Sequence, residues 1–186
     1  MLKRMLTPLD GSDLAEKALP YVIQLTGNLN LETTLLHICD SSKSLFMCDA
    51  YINQLVQKLS AQLKKYKPAL TDKAGIKGIT KDGDVVNLIL KTSAQLNSDI
   101  ILMSKHSHAK KNRRLIGNTT HKVLTGTKIP ILIIQPGRSN INLKDEWPKN
   151  VLVPLDGSIL SDQVLPFVET LSKQMGNRPK ITLLNI

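Results

Sequence analysis

Asp10, Gly11 and Ser12 are the first residues along the chain whose types and order could do chemistry. They follow a short apolar segment, 2–10, and precede leucines and alanines at helical spacing, which predicts a strand, a tight turn and a helix. A carboxylate at a strand end can hold a ligand, Gly11 permits the tight turn, and Ser12 can cap the helix. Because the same residue types dominate ordinary turns, the triplet alone favours turn and capping chemistry.

A second segment, residues 104–118, combines basic side chains with a helix start. It contains two histidines, His106 and His108, and five Lys or Arg residues: Lys105, Lys110, Lys111, Arg113 and Arg114. Gly117 opens a predicted helix, whose first backbone N–H groups offer hydrogen bonds to an anion. The segment therefore predicts either a phosphate cradle or a solvated basic loop, and both interpretations remain open. A metal site on the two histidines is disfavoured, because no carboxylate or cysteine lies nearby in the sequence.

Alternating strands and helices are predicted to position these two segments. The strands are expected at 2–10, 30–38, 74–81, 99–103 and 129–134, and the helices at 13–27, 44–66, 84–96 and 118–125. This order predicts an α/β fold, a Rossmann-like, doubly wound five-stranded parallel sheet with right-handed crossovers. Ligands of such sheets bind beyond the carboxyl ends of the strands, where the winding direction reverses. With strand one beside strand four, the Asp10 turn and residues 104–118 would meet there.

The chain begins its own pattern a second time. Residues 4–25 return at 150–171 with 11 of 22 positions identical, including the Pro-Leu-Asp-Gly-Ser core, and 34–38 return at 182–186. We therefore expect a first domain at 1–135, a linker at 136–149 in which Trp147 packs, and an incomplete βαβ repeat at 150–186. One βαβ unit cannot cover both faces of its sheet, so it should pack on the first domain or another chain.

The second repeat is expected to lack a ligand site of its own. It contains Asp156, Gly157 and Ser158, but nothing that corresponds to residues 104–118. The repeat is therefore more suited to packing or assembly than to ligand binding.

Composition limits the class of partner. The chain has 186 residues, a formal charge of +10 and a pI near 9.7, which favour a polyanion such as a nucleotide or a nucleic acid. Aromatic residues make up only 3%, too few for the stacking surfaces of single-strand binders, so nucleic acid is disfavoured. No apolar run has the length of a membrane span and no signal-peptide pattern is present, so we expect a cytoplasmic protein without membrane contact.

Two further features predict no special chemistry. Cys39 and Cys48 have neither a disulfide-framework pattern nor zinc-ligand spacing, and we interpret both as ordinary thiols. Thr125–Lys128 resembles the end of a phosphate-binding loop but lacks its first glycine, and no nucleophile elbow is present. No catalytic residue is predicted.

Four motifs resemble the universal stress protein family. They are PLDGS at strand one, DIILMS at strand four, GNTTHKVL in the following helix and IPILII at strand five, and they span residues 2–135. The resemblance implies the adenine nucleotide alpha-hydrolase-like fold of that family. Residues 150–186 resemble the start of a second such domain, as in tandem members.

Nucleotide-binding members of the family share a Gly-x-x-Gly-(nine residues)-Gly-Ser/Thr loop around the phosphates of ATP. On this chain the third glycine corresponds to Gly117 and the Ser/Thr to Asn118, whereas the first two glycines correspond to Ser104 and Ser107. Side chains there would narrow the cradle, because glycine allows positive φ and close approach to phosphate. The resemblance thus implies weakened binding of ATP, with Mg²⁺, at Pro8, Asp10, Gly11, Ser12, Ile38, Met103, Ser104, Ser107, Gly117, Asn118 and Thr119.

The leading hypothesis is a stress-response module that binds ATP or a related nucleotide weakly. The alternatives are a protein-interaction module without nucleotide, a slow ATPase, and a polyanion binder that uses the basic residues 105–114. The apolar edge strand 129–134 predicts a homodimer, since exposed strand edges pair with other chains.

Overall fold

A computed structural model describes residues 1–39, 44–71, 73–105, 116–135, 148–175 and 179–186. The predicted alternation is present. The strands are β1 (Arg4–Leu9), β2 (Glu32–Cys39), β3 (Gly75–Asp82), β4 (Ile100–Ser104), β5 (Ile131–Ile134), β6 (Asn150–Leu155) and β7 (Lys180–Asn185). The helices are α1 (Asp13–Glu16), α2 (Leu19–Leu29), α3 (Leu45–Tyr66), α4 (Val85–Gln95), α5 (Asn118–Gly126), α6 (Ile159–Asp162) and α7 (Val164–Met175).

The first five strands form one parallel sheet in the order β3-β2-β1-β4-β5. The winding direction reverses between β1 and β4, which confirms the predicted doubly wound sheet and its switch point. Apart from Arg4 and Thr7, β1 is apolar on both of its faces, because both faces of the sheet are covered. Met5 and Leu9 pack on the side of α2 and α3, whereas Leu6 packs on the side of Ile89 in α4 and Val123 in α5.

The helix expected at 13–27 is two helices, and that prediction was wrong. α1 ends at Glu16 and α2 begins at Leu19, with Pro20 in its first turn. Proline has no N–H and its ring clashes with the carbonyl four residues earlier, so a continuous helix through Pro20 is disfavoured. The second repeat divides at the same place, between α6 and α7, with Pro166 in the equivalent position.

The second repeat forms a separate two-stranded parallel sheet, β6 and β7, and its helix α7 lies against α2. Met175 is buried in the core of the first unit. The Gln174 side chain accepts a hydrogen bond from the Leu2 N–H at 2.6 Å and donates one to the Leu2 carbonyl at 3.0 Å. The second repeat therefore packs on residues 1–135, as expected from the sequence.

The two cysteines are not ordinary thiols, contrary to the sequence prediction. Cys39 and Cys48 form a disulfide with a Cα–Cα separation of 6.1 Å. Cys39 is the last residue of β2 and Cys48 lies in the first turn of α3, so the strand-to-helix connection brings them together. A spacing of nine residues matches no cysteine motif. The pairing therefore follows only from the way β2 leads into α3 in the structure.

None of the helices in the described residues combines the length and the apolar composition that a membrane span requires.

We predict that Gly78→Ala destabilises the fold. A Cβ at Gly78 would lie 2.8 Å from Cγ1 of Ile52 and 3.0 Å from Cγ2 of Val56, both on stiff β-branched side chains of α3. Overpacking of this kind costs about 1–3 kcal/mol of unfolding free energy. Urea unfolding measures the cost as a lower midpoint with an unchanged slope.

Gly75→Ala in the same strand is the matched control. A Cβ there meets nothing within 4 Å, so its midpoint should equal or exceed the wild-type value. Equal midpoints for the two variants would contradict the tight β3–α3 packing.

Candidate functional site

The turn after β1 has the geometry that its residue types favour. Gly11 has a φ of +76°, which a side chain rarely adopts, so glycine is required. The Asp10 carboxylate accepts a hydrogen bond from the Ser12 N–H at 2.9 Å. The Ser12 hydroxyl accepts one from the Ala15 N–H at 3.2 Å and so caps α1. Asp10 is exposed at the carboxyl edge of the sheet, where a ligand can reach it.

Ser104 joins the end of β4 to this turn. Its hydroxyl donates a hydrogen bond to the Leu14 carbonyl in α1 at 3.1 Å, and the residue is buried. Among the described non-glycine residues, only Asn30 and Asn97 have positive φ, so Ser104 needs no glycine conformation. The side chain at 104 is directed to α1. The sequence predicts that the side chain at 104 narrows the phosphate cradle, because glycine allows positive φ. The backbone conformation at Ser104 does not support that reason.

Pro8, Ile38 and Met103 surround the switch point from three neighbouring strands. Pro8 in β1 is paired in register with Leu36 of β2. Met103 of β4 is buried in the core on the side of α4 and α5, and Ile38 packs against the same cluster. These side chains thus provide apolar surface on one face of the sheet, beside the Asp10 turn.

Helix α5 begins on that same face. Its residue Val123 is buried in the cluster that contains Met103. Gly117 is the N-cap, and none of the described side chains caps the helix, whereas Ser12, Ser44 and Asp84 cap α1, α3 and α4. The first N–H groups of α5 therefore lack the side-chain oxygen that caps α1, α3 and α4, as do those of α2, whose N-cap is Ala18. Asn118 and Thr119, in its first turn, are exposed.

Part of the predicted site lies outside the described residues. These residues are Ser107, His106, His108 and the basic residues Lys110, Lys111, Arg113 and Arg114, together with Trp147 of the linker. The structure brings together the Asp10 turn, Ser104 and the apolar residues at the switch point. The wrapping of a phosphate by the loop stays a prediction.

Three side chains beneath the turn were not predicted from the sequence: His37, Tyr51 and Glu16. His37 is buried, and its Nδ1 is 3.1 Å from the Leu9 carbonyl oxygen. The Tyr51 ring packs on His37 with 5.0 Å between centroids, and its hydroxyl donates to Glu16 at 2.9 Å. Burial raises the pKa of the Tyr51 hydroxyl, and the Glu16 hydrogen bond and the charges of Glu16 and Asp10 raise it further.

One sequence signal could have identified His37. It occupies a position in an otherwise apolar and threonine-rich strand, where the second repeat has Asn185. A titratable residue in a buried strand usually has a specific partner, which here is the carbonyl of Leu9.

The second Asp-Gly-Ser turn, Asp156 to Ser158, has the same internal geometry as the first but no described strand that corresponds to β4 beside it. The Ser158 N–H donates to Asp156 at 2.9 Å, Gly157 has a φ of +75°, and Ser158 caps α6. In the described residues its sheet contains only β6 and β7, with no counterpart of β4. The turn geometry is thus independent of a binding site, and the neighbouring strand distinguishes the first turn from the second.

We predict that Asp156 titrates well below an ordinary aspartate. Hydrogen bonds from the side chain and backbone of Ser158, and from Ser161, lower the pKa of Asp156 to about 2. Its unfolded value is about 3.9, so the contribution to stability is present above about pH 4 and is lost as the pH falls through 2. NMR titration of the carboxyl carbon measures the midpoint.

Ser158→Ala should move that midpoint up toward the ordinary value. Ser172→Ala in α7 is the control and should leave it near 2. An unshifted Asp156 in the wild-type chain would contradict the hydrogen bonds of this turn.

Known proteins match this fold and sequence. Universal stress protein MJ0577 of Methanocaldococcus jannaschii is 28% identical over 158 residues, which cover 73% of this chain and 96% of that protein. A universal stress protein solved in complex with cAMP has a TM-score of 0.55 at 17% identity, over 73% of this chain and 98% of that one. A universal stress protein from Archaeoglobus fulgidus has a TM-score of 0.70 at 21% identity, over 97% of this chain and 66% of that one.

The family model described as the universal stress protein family matches residues 1–135. These residues contain the complete five-stranded sheet, the Asp10 turn and the start of α5. On that match, which covers most of its length, the chain belongs to the universal stress protein family.

Proposed function

We propose that this protein binds an adenine nucleotide, ATP with Mg²⁺, weakly at the carboxyl edge of the sheet between β1 and β4. The observation that carries the proposal is a hydrogen bond between the end of β4 and α1, the helix that follows the Asp10 turn. Ser104 of β4 is hydrogen-bonded to Leu14 directly behind the Asp10 turn, at the switch point where open parallel sheets bind ligands. The solved relative in complex with cAMP supports an adenine nucleotide as the class of ligand.

The proposed roles follow from the chemistry of each group. Asp10 accepts hydrogen bonds from the ribose hydroxyls, and the N-terminus of α5, which no described side chain caps, binds phosphate through its backbone N–H groups. Asn118 and Thr119 add side-chain donors there. The remaining residues, Pro8, Gly11, Ser12, Ile38, Met103, Ser104 and Ser107, would line the adenine, the ribose and the phosphate path.

Magnesium is proposed to arrive on the phosphates of the nucleotide. Mg²⁺ sites commonly use substrate phosphates with only one or two carboxylates. Asp10 is exposed at this edge, whereas the Glu16 carboxylate is hydrogen-bonded to Tyr51. The protein residues therefore suit a phosphate-borne ion better than a resident one.

The chain is further proposed to be of the tandem type. Residues 1–135 would be a complete domain, 136–149 a linker and 150–186 part of a second domain that cannot bind nucleotide by itself. The match of 97% of this chain to a longer universal stress protein supports this division. The role proposed for the whole is a cytoplasmic stress-response module in which nucleotide binding controls an interaction without turnover.

We predict that MgATP raises the thermal midpoint of the wild-type protein by more than that of Asp10→Ala. Ligand at roughly five times its Kd adds about 1 kcal/mol of stability, or about 2–4 °C for a chain of this size. Differential scanning fluorimetry with millimolar MgATP measures the shift. The variant should respond less because it lacks the carboxylate nearest the proposed ribose position.

Asp156→Ala is the matched control, since it removes the same side chain from the equivalent turn of the second repeat. Its shift should equal that of the wild type. No shift in the wild type would leave an interaction module without nucleotide, and phosphate release lost in Asp10→Ala would indicate a slow ATPase. A shift that any polyanion reproduces and that falls steeply with salt would indicate binding through residues 105–114.

A homodimer through β5 is proposed as the assembly. Ile101 N donates to the Pro130 carbonyl and Lys105 N to the Ile134 carbonyl, so the N–H of Ile133 points away from β4. Ile133→Pro should remove that outward donor without breaking the β4 ladder, and should convert a dimer to a monomer. Light scattering measures the change, Ile133→Val is the control that keeps the donor, and a monomeric wild type at all concentrations would contradict the dimer.

A further inference from the structure

His37, Cys39 and Cys48 form a cluster that the proposed nucleotide site does not use, here named the thiol cluster. All three residues are buried, with exposed fractions of 5%, 6% and 2%. His37 and Cys39 alternate on β2 and so face the same side of the sheet, and Cys48 faces them from the first turn of α3. One ligand atom from each residue lies within 4.8 Å of the other two.

We propose that the reduced protein binds one zinc-class divalent cation at the thiol cluster. Two thiolates and an imidazole are the ligands that Zn²⁺ prefers in proteins. Zn–S bonds of about 2.3 Å and Zn–N bonds of about 2.0–2.1 Å place tetrahedral ligand atoms roughly 3.3–3.8 Å apart. A set of ligand atoms within 4.8 Å of one another therefore needs only small side-chain rotations to meet one ion.

The hydrogen bond of His37 suits a metal ligand. Its Nδ1 lies 3.1 Å from the Leu9 carbonyl, which can only accept, so the proton resides on Nδ1. Nε2 then carries the lone pair that a metal requires. Metal-bound histidines characteristically donate their other ring N–H to a carbonyl or carboxylate in this way. The Tyr51 ring, 5.0 Å from the imidazole, further restricts its rotation.

The disulfide and the metal are mutually exclusive states of the same sulfurs. Binding removes one proton from each thiol, and the two thiolates then coordinate the ion. Oxidation by a small-molecule disulfide forms the Cys39–Cys48 bond, consumes two protons, yields two small thiols and releases the ion. Cytoplasmic conditions keep thiols reduced, which would favour the metal-bound state. The inference is independent of nucleotide binding.

Cobalt is the probe, because Co²⁺ occupies zinc sites and reports its ligands by absorption. The full-length chain is reduced, freed of reductant without air and titrated with CoCl₂. We expect saturation at one Co²⁺ per chain, a thiolate-to-cobalt charge-transfer band in the near ultraviolet and intense tetrahedral d–d bands. One equivalent of Zn²⁺ should abolish both, and the oxidised protein should show neither.

Variants assign the ligands. Cys48→Ser should lose the charge-transfer intensity of one thiolate, and His37→Gln should shift the d–d bands and weaken cobalt binding by at least about 10-fold. His121→Gln, an exposed histidine in α5, is the matched control and should leave the spectrum unchanged. Because wild-type protein in its two redox states carries the main comparison, a variant that fails to fold does not remove the test.

Two results would overturn the proposal. One is a reduced, folded wild-type chain with two titratable thiols and no cobalt bands. The other is saturation at one cobalt per two chains with a four-thiolate spectrum, which would mean a site between molecules.

Discussion

The pairing of β1 with β4 is the constraint on which the rest of the structure depends. It reverses the winding of the sheet, with Met5 opposite Ile100 and Leu6 opposite Ile101. The Asp99 carboxylate accepts hydrogen bonds from the N–H groups of Lys3 and Arg4 at 2.7 and 2.9 Å, which fixes one end of this pairing. The Ser104 hydroxyl bonded to Leu14 fixes the other end. The edge that carries Asp10 is therefore held by the same two strands that create the switch point.

The comparison of the two Asp-Gly-Ser turns separates turn chemistry from site chemistry. Both turns have a glycine near φ +75° and an aspartate that accepts from the serine N–H at 2.9 Å. Local sequence is sufficient for that geometry, since it recurs in a repeat with only two strands. A turn of this kind is thus weak evidence for a ligand. The evidence lies in what the sheet places beside it, which for Asp10 is β4 and for Asp156 has no described counterpart.

Hydrophobic periodicity and turn residues were enough to predict the five strands, the doubly wound fold class and the amphipathic helix α3. They were not enough where the structure depends on a single helix-breaking residue or on a contact between side chains of different elements. Pro20 divides a continuous helical pattern because a single missing N–H outweighs the propensity of its neighbours. The Cys39–Cys48 pair depends on how β2 leads into α3, and His37 depends on the carbonyl of Leu9 from another strand. Contacts of these kinds follow from tertiary geometry, which local spacing does not encode.

Side chains alternate along β2, so the thiol cluster and Ile38 of the proposed nucleotide site lie on opposite faces of the sheet. Ile38 faces the α4 and α5 side with Met103, whereas His37 and Cys39 face the α3 side. One path between the two sites is the Leu9 carbonyl, which contacts His37 and directly precedes Asp10. A metal on Nε2 would strengthen the Nδ1–H donor and hold that carbonyl more firmly. Coupling between the two sites would thus pass through the last peptide of β1 and would stiffen the turn without changing its ligand groups.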